Sequence, residues 1–156
     1  MLILILDKEN GDWPSKSSRD VLPHIAHDLG WGQVHFSERG KPFIQNGYCS
    51  ISHSRHRMLI AYSETAIGID LEYKRELKPE LMKRLHLNPK APLEDWCSRE
   101  AWIKLDDDPS HLTKPIPLSL FTQTLDLGDD WCCRVVSRKD IGPITLQTME
   151  IKKEGV

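Results

Sequence analysis

Short apolar runs, broken by polar or glycine-containing segments, set the main limit on the fold of this chain. Residues 2–6, 48–52 and 58–63 have the length and spacing of strands. Residues 15–29 and 93–105 instead repeat apolar side chains at helical spacing. Because strands and helices interleave without a strict strand–helix–strand alternation, we predict a mixed α+β fold. Further strands are predicted at residues 67–73, 131–137 and 144–151, and a further helix at residues 77–87.

Composition and charge favour one globular domain. The 156 residues are 39% hydrophobic and 28% charged, and 21 basic residues nearly balance 23 acidic ones. A net charge of -2 provides no general attraction to nucleic acid or to an anionic membrane. The apolar run at residues 2–6 is far too short to span a bilayer, and the four cysteines form no Cys-x-x-Cys pair. We therefore expect a cytoplasmic protein with reduced thiols and no nucleic-acid or membrane partner.

The segment Ile-Gly-Ile-Asp-Leu-Glu-Tyr at residues 67–73 carries the most informative polar pair. On a strand, alternate side chains share a face, so Asp70 and Glu72 project together, away from the core. Two carboxylates on one face repel each other unless a cation lies between them. Oxygen ligands without His or Cys favour Mg²⁺. The alternative is that both residues lie on the solvated face of an edge strand.

A second polar pair lies on the predicted helix at residues 93–105. Glu100 and Lys104 are one turn apart, so the carboxylate and the ammonium share one helix face. The alternative is a surface ion pair worth roughly a few tenths of a kcal/mol. In that case Trp96 and Trp102 are ordinary core or half-buried aromatics.

A third polar group precedes these two pairs in the chain. Lys41, in a Gly-Lys-Pro turn, presents an ammonium on a stiff loop. Ser52 and His53 end a predicted strand with a hydroxyl and an imidazole. Donors of these kinds suit a phosphate. The alternative for His53 is a hydrogen-bonded structural imidazole.

The order of these motifs is more specific than any one of them. Gly-Lys-Pro, Ile-Ser-His-Ser, Gly-Ile-Asp-Leu-Glu and Trp-Cys-Ser-Arg-Glu-Ala, the last followed by Lys104, resemble the 4'-phosphopantetheinyl transferase superfamily. The chain is most similar to the larger, surfactin-synthetase-activator (Sfp) type. This resemblance implies two related α+β halves that form a pseudo-dimer with the active site at their cleft. Residues 1–156 are then one transferase unit, with a trimmed N-terminal half at residues 1–66. Residues 67–156 form a C-terminal half that holds the metal and catalytic motifs.

The resemblance also implies a role for each acidic and basic motif residue. Asp70 and Glu72 resemble the first two Mg²⁺ ligands of the family. Glu100 resembles the third ligand, or the base that accepts the proton of the acceptor hydroxyl. Lys104 resembles the cation that contacts the pyrophosphate of coenzyme A, and so has both a catalytic and a binding role.

The coenzyme A contacts follow from the same resemblance. Ser52 and His53 are similar to residues that hold a coenzyme A phosphate, and Lys41 is similar to a lysine near the nucleotide. Three features depart from the family pattern. Arg99 replaces a lysine, Arg55 replaces a glycine, and the N-terminal half is short, which leaves Arg19 as a candidate basic contact.

The activity implied is Mg²⁺-dependent transfer of 4'-phosphopantetheine from coenzyme A to a serine of an apo acyl or peptidyl carrier protein. Adenosine 3',5'-bisphosphate is the released product. Carrier proteins in this family are acidic, and residues 74–90 hold six basic side chains against two acidic ones. We expect an acidic carrier to dock on this segment of a monomeric protein. The leucines of the segment predict either an apolar patch beside the docking surface or a helix side packed on the core.

Two other functions stay open at this point. One is a degenerate family member that binds coenzyme A or a carrier protein without transfer, as the Arg55 and Arg99 departures suggest. The other is a metal-dependent nuclease, because Glu72-Tyr73-Lys74 matches the Glu-x-Lys half of a restriction-type site. That site needs a second acid well upstream, where only Glu64 is available. The net charge of -2 gives DNA binding little support.

Overall fold

The computed structural model describes residues 1–150, which form three β-sheets, three α-helices and one short 3₁₀ turn. This arrangement confirms the predicted mixed α+β class. The strands are β1 Leu2–Asp7, β2 Val34–Phe36, β3 Pro42–Ile44, β4 Tyr48–Ser54, β5 Arg57–Ser63, β6 Ile67–Tyr73, β7 Phe121–Thr124, β8 Trp131–Ser137 and β9 Thr145–Thr148. The helices are α1 Ser18–Asp28, α2 Pro79–Arg84 and α3 Pro92–Asp106, and the 3₁₀ turn is Pro109–Thr113.

The first sheet has the strand order β4-β5-β1-β9. β1 pairs antiparallel with β5 and parallel with β9, and β5 pairs antiparallel with β4 through a tight hairpin. Helix α1 covers one face, where Leu22 and Ile25 pack in one cluster with Leu4. The other face carries Ile3 and Leu59, which belong to the core shared with the second sheet.

The second sheet has the strand order β6-β8-β7, and both of its pairings are antiparallel. Ile69 of β6 and Val135 of β8 are fully buried in the shared core. The alternate residues of β6 point the other way, toward helix α3. Gly68 lies at that contact and has no side chain to hold the helix away. Strand β6 is therefore packed on both faces, and its polar residues meet α3 rather than bulk water.

Three serines join the edges of the two sheets. Alternate hydroxyls of β4 accept hydrogen bonds from alternate backbone N–H groups of β6, and both series advance in the same direction, so the two strands run parallel. These N–H groups face no neighbouring strand backbone, and the hydroxyls satisfy them. We call this row the serine seam: Ser50 with Ile69, Ser52 with Leu71 and Ser54 with Tyr73, at N···O distances of 3.1, 2.9 and 3.1 Å.

Several predicted elements differ at their ends. The predicted helix at residues 15–29 begins only at Ser18 and includes Pro23 on its exposed side. The predicted helix at residues 77–87 is the shorter α2, because Lys78 is extended before Pro79. β9 covers part of the predicted strand at residues 144–151, whose last residue lies outside the described residues. Strands β2, β3 and β7 were not predicted, since runs of three or four residues show no clear alternation.

The chain passes from the first sheet to the second between β5, which ends at Ser63, and β6, which begins at Ile67, and the division into two halves at residues 66 and 67 stays a prediction. β9 then returns to the first sheet beside β1, so the second half of the chain also contributes to the first sheet. All four cysteine thiols are free and buried. Within residues 1–150, the helices all lack the length and apolar character that a membrane crossing needs.

Candidate active site

Strand β6 presents Asp70 and Glu72 on the face that meets helix α3. Asp70 is only 4% exposed, and its Oδ1 atom accepts hydrogen bonds from Lys104 Nζ at 3.1 Å and from Ser52 Oγ at 3.2 Å. The Oδ2 atom is buried and has no hydrogen-bond partner among the described residues. A buried carboxylate oxygen without a partner is costly. The Glu72 carboxyl lies within hydrogen-bonding range of Asp70, so a proton shared between the two carboxyls, or a cation, would satisfy this oxygen.

The three carboxyls of the predicted metal site influence one another. Burial raises the pKa of the Asp70 carboxyl to about 8, although the nearby Lys104 ammonium opposes the shift. The negative charges of Glu72 and Glu100 raise this pKa further. Burial also raises the pKa of the Glu100 carboxyl, with Lys104 opposing and Glu72 reinforcing. We call Asp70, Glu72 and Glu100 the acidic cluster, and one ammonium does not neutralise it.

Two neighbours hold the carboxylate of Glu72. Its Oε1 atom accepts a hydrogen bond from Trp96 Nε1 at 3.1 Å, and its Oε2 atom pairs with Arg75 Nη1 at 2.8 Å. The sequence predicts Trp96 as an ordinary aromatic residue, but its indole N–H orients a site carboxylate. The signal was present in the spacing, because Trp96 lies one helical turn before Glu100 on α3.

Helix α3 carries the two predicted catalytic residues, Glu100 and Lys104. The helix begins with Pro92 at its first position and ends at Asp106, and the residue that caps it, Asp107, is left-handed with φ 54°. The Lys104 side chain is 30% exposed and pairs with Asp70. Glu100 is half-buried and makes no hydrogen bond or ion pair among the described residues. The alternative of a surface ion pair between Glu100 and Lys104 is therefore wrong, since the partner of Lys104 is a buried strand carboxylate.

A cavity of about 320 Å³ opens between α3 and the elements that precede β5. Glu100 and Lys104 line it from the helix, and Lys41 and Ser50 line it from the opposite side. Its volume lies at the lower end of the range for small-molecule sites, roughly 300–1,000 Å³. Two larger grooves, of about 560 and 640 Å³, lie beside α1 and beside β1, away from the acidic cluster. Glu64, the acid that a nuclease site requires, lines the groove beside β1.

Ser52 and His53 occupy different environments. The Ser52 hydroxyl accepts a hydrogen bond from the Leu71 N–H at 2.9 Å and donates its only proton to Asp70 Oδ1, so it has no proton left to donate to a phosphate. The predicted contact of Ser52 with a coenzyme A phosphate is not supported by this geometry. His53 is half-buried, and burial and the Lys104 charge lower the pKa of its imidazole. His53 therefore lies within electrostatic reach of the site lysine.

Lys41 and Arg39 hold the end of helix α3. The Lys41 ammonium donates to the backbone carbonyl of Leu105, and Arg39 Nη1 donates to the carbonyl of Asp107 at 2.8 Å. Carbonyls at a helix C-terminus lack intrahelical partners, and cations satisfy them well. Burial lowers the pKa of the Lys41 ammonium, which also lies 5.6 Å from the centre of the Phe43 ring. Lys41 lines the cavity of about 320 Å³, and its ammonium is hydrogen-bonded to the Leu105 carbonyl.

Arg99, one of the departures noted from the sequence resemblance, is a buried structural residue. Its guanidinium pairs with Asp95 and donates to the backbone carbonyls of Leu85, His86 and Leu112. The side chain is 2% exposed, so these contacts use its donors inside the protein. Arg99 therefore ties α3 to the end of α2 and to the 3₁₀ turn, away from the cavity.

Arg55 and Arg19, the other two basic residues singled out from the sequence, lie on the surface side of the site elements. Arg55 is exposed, takes the left-handed φ of 54° that glycine favours, and stacks its guanidinium 4.3 Å from the centre of the Tyr73 ring. Arg19 lies over the Phe36 ring at 5.7 Å and close to Gly40 in the loop that carries Lys41. Neither residue contacts the acidic cluster.

The donor chemistry fits Mg²⁺, although the carboxylates are not arranged as a finished metal site. Within residues 1–150, no group of three or more His, Cys, Asp or Glu side chains is placed to hold a metal ion. The oxygen-only cluster, the bare Oδ2 atom of Asp70 and the unbonded Glu100 nevertheless suit a hard cation. Lys104 and Arg75 provide the positive charge beside Asp70 and Glu72 in this structure.

Comparisons with known proteins add no identification. No family model matches the chain, and no curated protein reaches a significant match with it. Interpretation of the site therefore depends on the motif order and on the geometry described above.

Proposed function

We propose that this protein transfers 4'-phosphopantetheine from coenzyme A to a serine hydroxyl of an apo carrier protein, in a Mg²⁺-dependent reaction. The observation that carries the proposal is that Glu100 and Lys104 line a cavity of about 320 Å³, and that Lys104 also pairs with the buried Asp70. Attack on a pyrophosphate needs positioning and charge neutralisation more than covalent chemistry by the protein. The cluster and the lysine are groups of that kind.

Asp70, Glu72 and Glu100 are the residues that would hold Mg²⁺, which when bound would neutralise part of the pyrophosphate charge. Lys104 lines the cavity and pairs with Asp70, so its ammonium is close to where the phosphates of coenzyme A would enter. Basic Arg39 lines the same cavity and supplies a further positive charge. We propose Lys41 and His53 as the other coenzyme A contacts, and we leave out Ser52.

Glu100 is the residue best placed to accept a proton. It is half-buried, makes no hydrogen bond among the described residues and lines the cavity. Burial raises the pKa of its carboxyl, which brings the group closer to the range of an effective general base. In the proposed reaction, the carrier serine oxygen forms a bond to the phosphorus of the phosphopantetheine and its proton passes to Glu100. The bond from that phosphorus to the bridging oxygen breaks, and adenosine 3',5'-bisphosphate leaves with the negative charge near Lys104.

The basic segment of residues 74–90 is proposed as the docking surface for the acidic carrier. The basic side chains of this segment are exposed. Its apolar side is not free, because Leu77, Leu85 and Leu87 are buried with Cys97 of α3 in one core cluster. The alternative of a helix side packed on the core therefore holds for these leucines, and docking has to rely on charge. We propose that the protein acts as a monomer in the cytoplasm, where its buried free thiols stay reduced.

One observation favours a second candidate function, binding of coenzyme A or a carrier without transfer. Both oxygens of the Glu72 carboxylate already have partners, in Trp96 and Arg75, and Asp70 is paired with Lys104. A cation has to compete with these contacts. A degenerate site of this kind would bind its ligands and leave the carrier serine unmodified.

Intact-protein mass spectrometry tests the proposal. The protein is incubated with coenzyme A, Mg²⁺ and apo carrier proteins from fatty acid, polyketide and peptide synthesis. A mass increase of one phosphopantetheine on a carrier, lost when Mg²⁺ is chelated, is the expected result. The absence of an adduct on every carrier contradicts transfer. Binding of coenzyme A by calorimetry under the same conditions then supports the second candidate.

A further inference from the structure

We infer that Ser52 is a positioning residue, whose hydroxyl holds the Asp70 carboxylate in the orientation that keeps its Oδ2 atom available to a divalent cation. This inference rests on the Mg²⁺ site of the proposed function and deepens it. It gives Ser52 a role different from the phosphate contact that the sequence motif suggested.

The hydrogen-bond direction at Ser52 is fixed by its neighbours. Ser52 is 4% exposed, so water does not compete for its hydroxyl. The Leu71 N–H is a donor and occupies a lone pair of Ser52 Oγ at 2.9 Å. A hydroxyl has one proton to donate, and the Oδ1 atom of Asp70 lies 3.2 Å away. The Ser52 hydroxyl therefore binds both the backbone of Leu71 and the side chain of Asp70.

The two oxygens of Asp70 are unequal as a result. Oδ1 accepts from Ser52 and from Lys104, whereas Oδ2 is buried and has no partner among the described residues. Two donors on one oxygen restrain rotation of the carboxylate about its terminal bond. A supporting hydrogen bond of this kind orients a ligating carboxylate, and its loss typically lowers metal affinity about 10–100-fold.

The serine seam contains a matched control. Ser54 accepts a hydrogen bond from the Tyr73 N–H at 3.1 Å, as Ser52 does from Leu71, but Ser54 contacts no carboxylate. Ser54→Ala therefore removes one seam contact alone. Ser52→Ala removes a seam contact together with the contact to Asp70. Comparison of the two variants separates positioning of the carboxylate from support of the fold.

The experiment is a calorimetric titration of the full-length wild type and variants with Mg²⁺, after circular dichroism has confirmed folding. Ser52→Ala is expected to raise the Kd for Mg²⁺ about 10–100-fold, Ser54→Ala to leave it unchanged, and Ser52→Thr, which keeps the hydroxyl, to restore affinity. If Ser52→Ala does not fold, the nearly isosteric Ser52→Cys, with a poor donor, carries the same expectation.

Equal Mg²⁺ affinities for Ser52→Ala and Ser54→Ala would overturn the inference, and so would a wild-type protein that binds no Mg²⁺. The proposed transfer activity is judged separately, by the carrier mass assay. If the Mg²⁺ affinities follow the expected pattern but the wild type modifies no carrier, positioning by Ser52 is supported and transfer is contradicted. If the wild type modifies a carrier but Ser52→Ala and Ser54→Ala bind Mg²⁺ equally well, transfer is supported and positioning by Ser52 is contradicted.

Discussion

Gly68 of β6 lies against the backbone of Ala101 in helix α3, so closely that a Cβ atom at Gly68 would be 1.9 Å from the Ala101 carbonyl oxygen. The same Cβ would be 2.8 Å from the backbone nitrogen of Leu105. Both neighbours are backbone atoms, which cannot turn aside as a flexible side chain can. This contact sets the distance between Asp70 on the strand and Lys104 on the helix.

We predict that Gly68→Ala pushes α3 away from β6 and lowers both the free energy of unfolding and the transfer activity. Overpacking of this kind costs about 1–3 kcal/mol, and the helix shift separates Lys104 from Asp70. Urea unfolding measures the first effect, and the carrier mass assay at a temperature where the variant is folded measures the second. Gly142→Ala is the control, because a Cβ there meets nothing within 4 Å and adds only the strain of a positive φ. Wild-type activity in folded Gly68→Ala would contradict this account of the helix–strand spacing.

We predict that Asp70→Ala abolishes transfer. The variant removes the buried carboxylate that pairs with Lys104. The rate of transfer should therefore fall by more than the roughly 100-fold that removal of a supporting partner costs. The rate of adduct formation is the measurement. Lys114→Ala is the control, since Lys114 is exposed and its ammonium contacts only Ser110 among the described residues. Transfer by Asp70→Ala at more than a tenth of the wild-type rate would show that the acidic cluster is not the catalytic site.

The sequence predicted the strongly patterned parts of this structure and missed the parts that depend on contacts between distant segments. Strands β6 and β8 have the predicted bounds, because β6 alternates regularly over seven residues and β8 is a short, mostly apolar run. The serine seam was visible only as an alternation of serines in β4, and nothing local shows that their partners are N–H groups of β6.

The same limit applies to the site residues. Alternation placed Asp70 and Glu72 on one face, and helical spacing placed Glu100 and Lys104 on another. Which groups pair across the two elements could not be read from spacing, since Lys104 reaches the strand carboxylate rather than Glu100. Lys41 was expected to be free for a ligand, but its ammonium is bonded to a helix-end carbonyl 64 positions later in the chain.

We predict that Arg99→Lys destabilises the protein, even though the family that the sequence resembles has a lysine at this position. The guanidinium serves the Asp95 carboxylate and the carbonyls of Leu85, His86 and Leu112, and an ammonium with three donors cannot reach all of them. The expected cost is about 2–3 kcal/mol in urea unfolding. Transfer per folded molecule should be unchanged, because Arg99 does not line the cavity. A variant as stable as the wild type would mean that these contacts contribute little.

We predict an acid-dependent stability contribution from Asp106. Hydrogen bonds from Arg138, at 2.6 and 2.8 Å, hold the pKa of this carboxyl below its ordinary value of 3.8, and His111 adds to the effect. Because the folded state binds the proton less tightly than the unfolded state, the contribution is present above about pH 4 and is lost as the pH falls through the lower folded pKa.

Urea unfolding of Asp106→Asn across this pH range is the measurement. The free energy of unfolding of the variant should be about 1 kcal/mol lower than that of the wild type at pH 7. The difference is small because Arg138 is largely exposed, and it should vanish in acid. Asp129→Asn, at an exposed turn position, is the control and should show no such difference. A difference in the free energy of unfolding between wild type and Asp106→Asn that persists at pH 2 would contradict this contribution of the Asp106 carboxylate.

We predict that charge reversal in the basic segment of residues 74–90 weakens carrier docking selectively. Lys83→Glu with Arg84→Glu should raise the KM for an acidic carrier about tenfold or more at low salt, and leave the KM for coenzyme A unchanged. The wild-type KM for the carrier should rise with ionic strength. Lys114→Glu with Lys139→Glu is the charge-matched control, at two exposed positions outside the segment. If the KM for the carrier changes with neither ionic strength nor charge reversal, the carrier does not dock on residues 74–90.

The serine seam joins two sheets through side chains alone, and each sheet keeps its own backbone ladder. Substitution of Ser50, Ser52 and Ser54 can therefore weaken the serine seam without removing a strand or a helix. Opening along this line leaves both ladders closed while it uncouples β4 from the strand that carries Asp70. Amide hydrogens of Ile69, Leu71 and Tyr73 thus report on the joint individually, and their exchange rates with deuterium can be followed while the rest of the molecule stays protected.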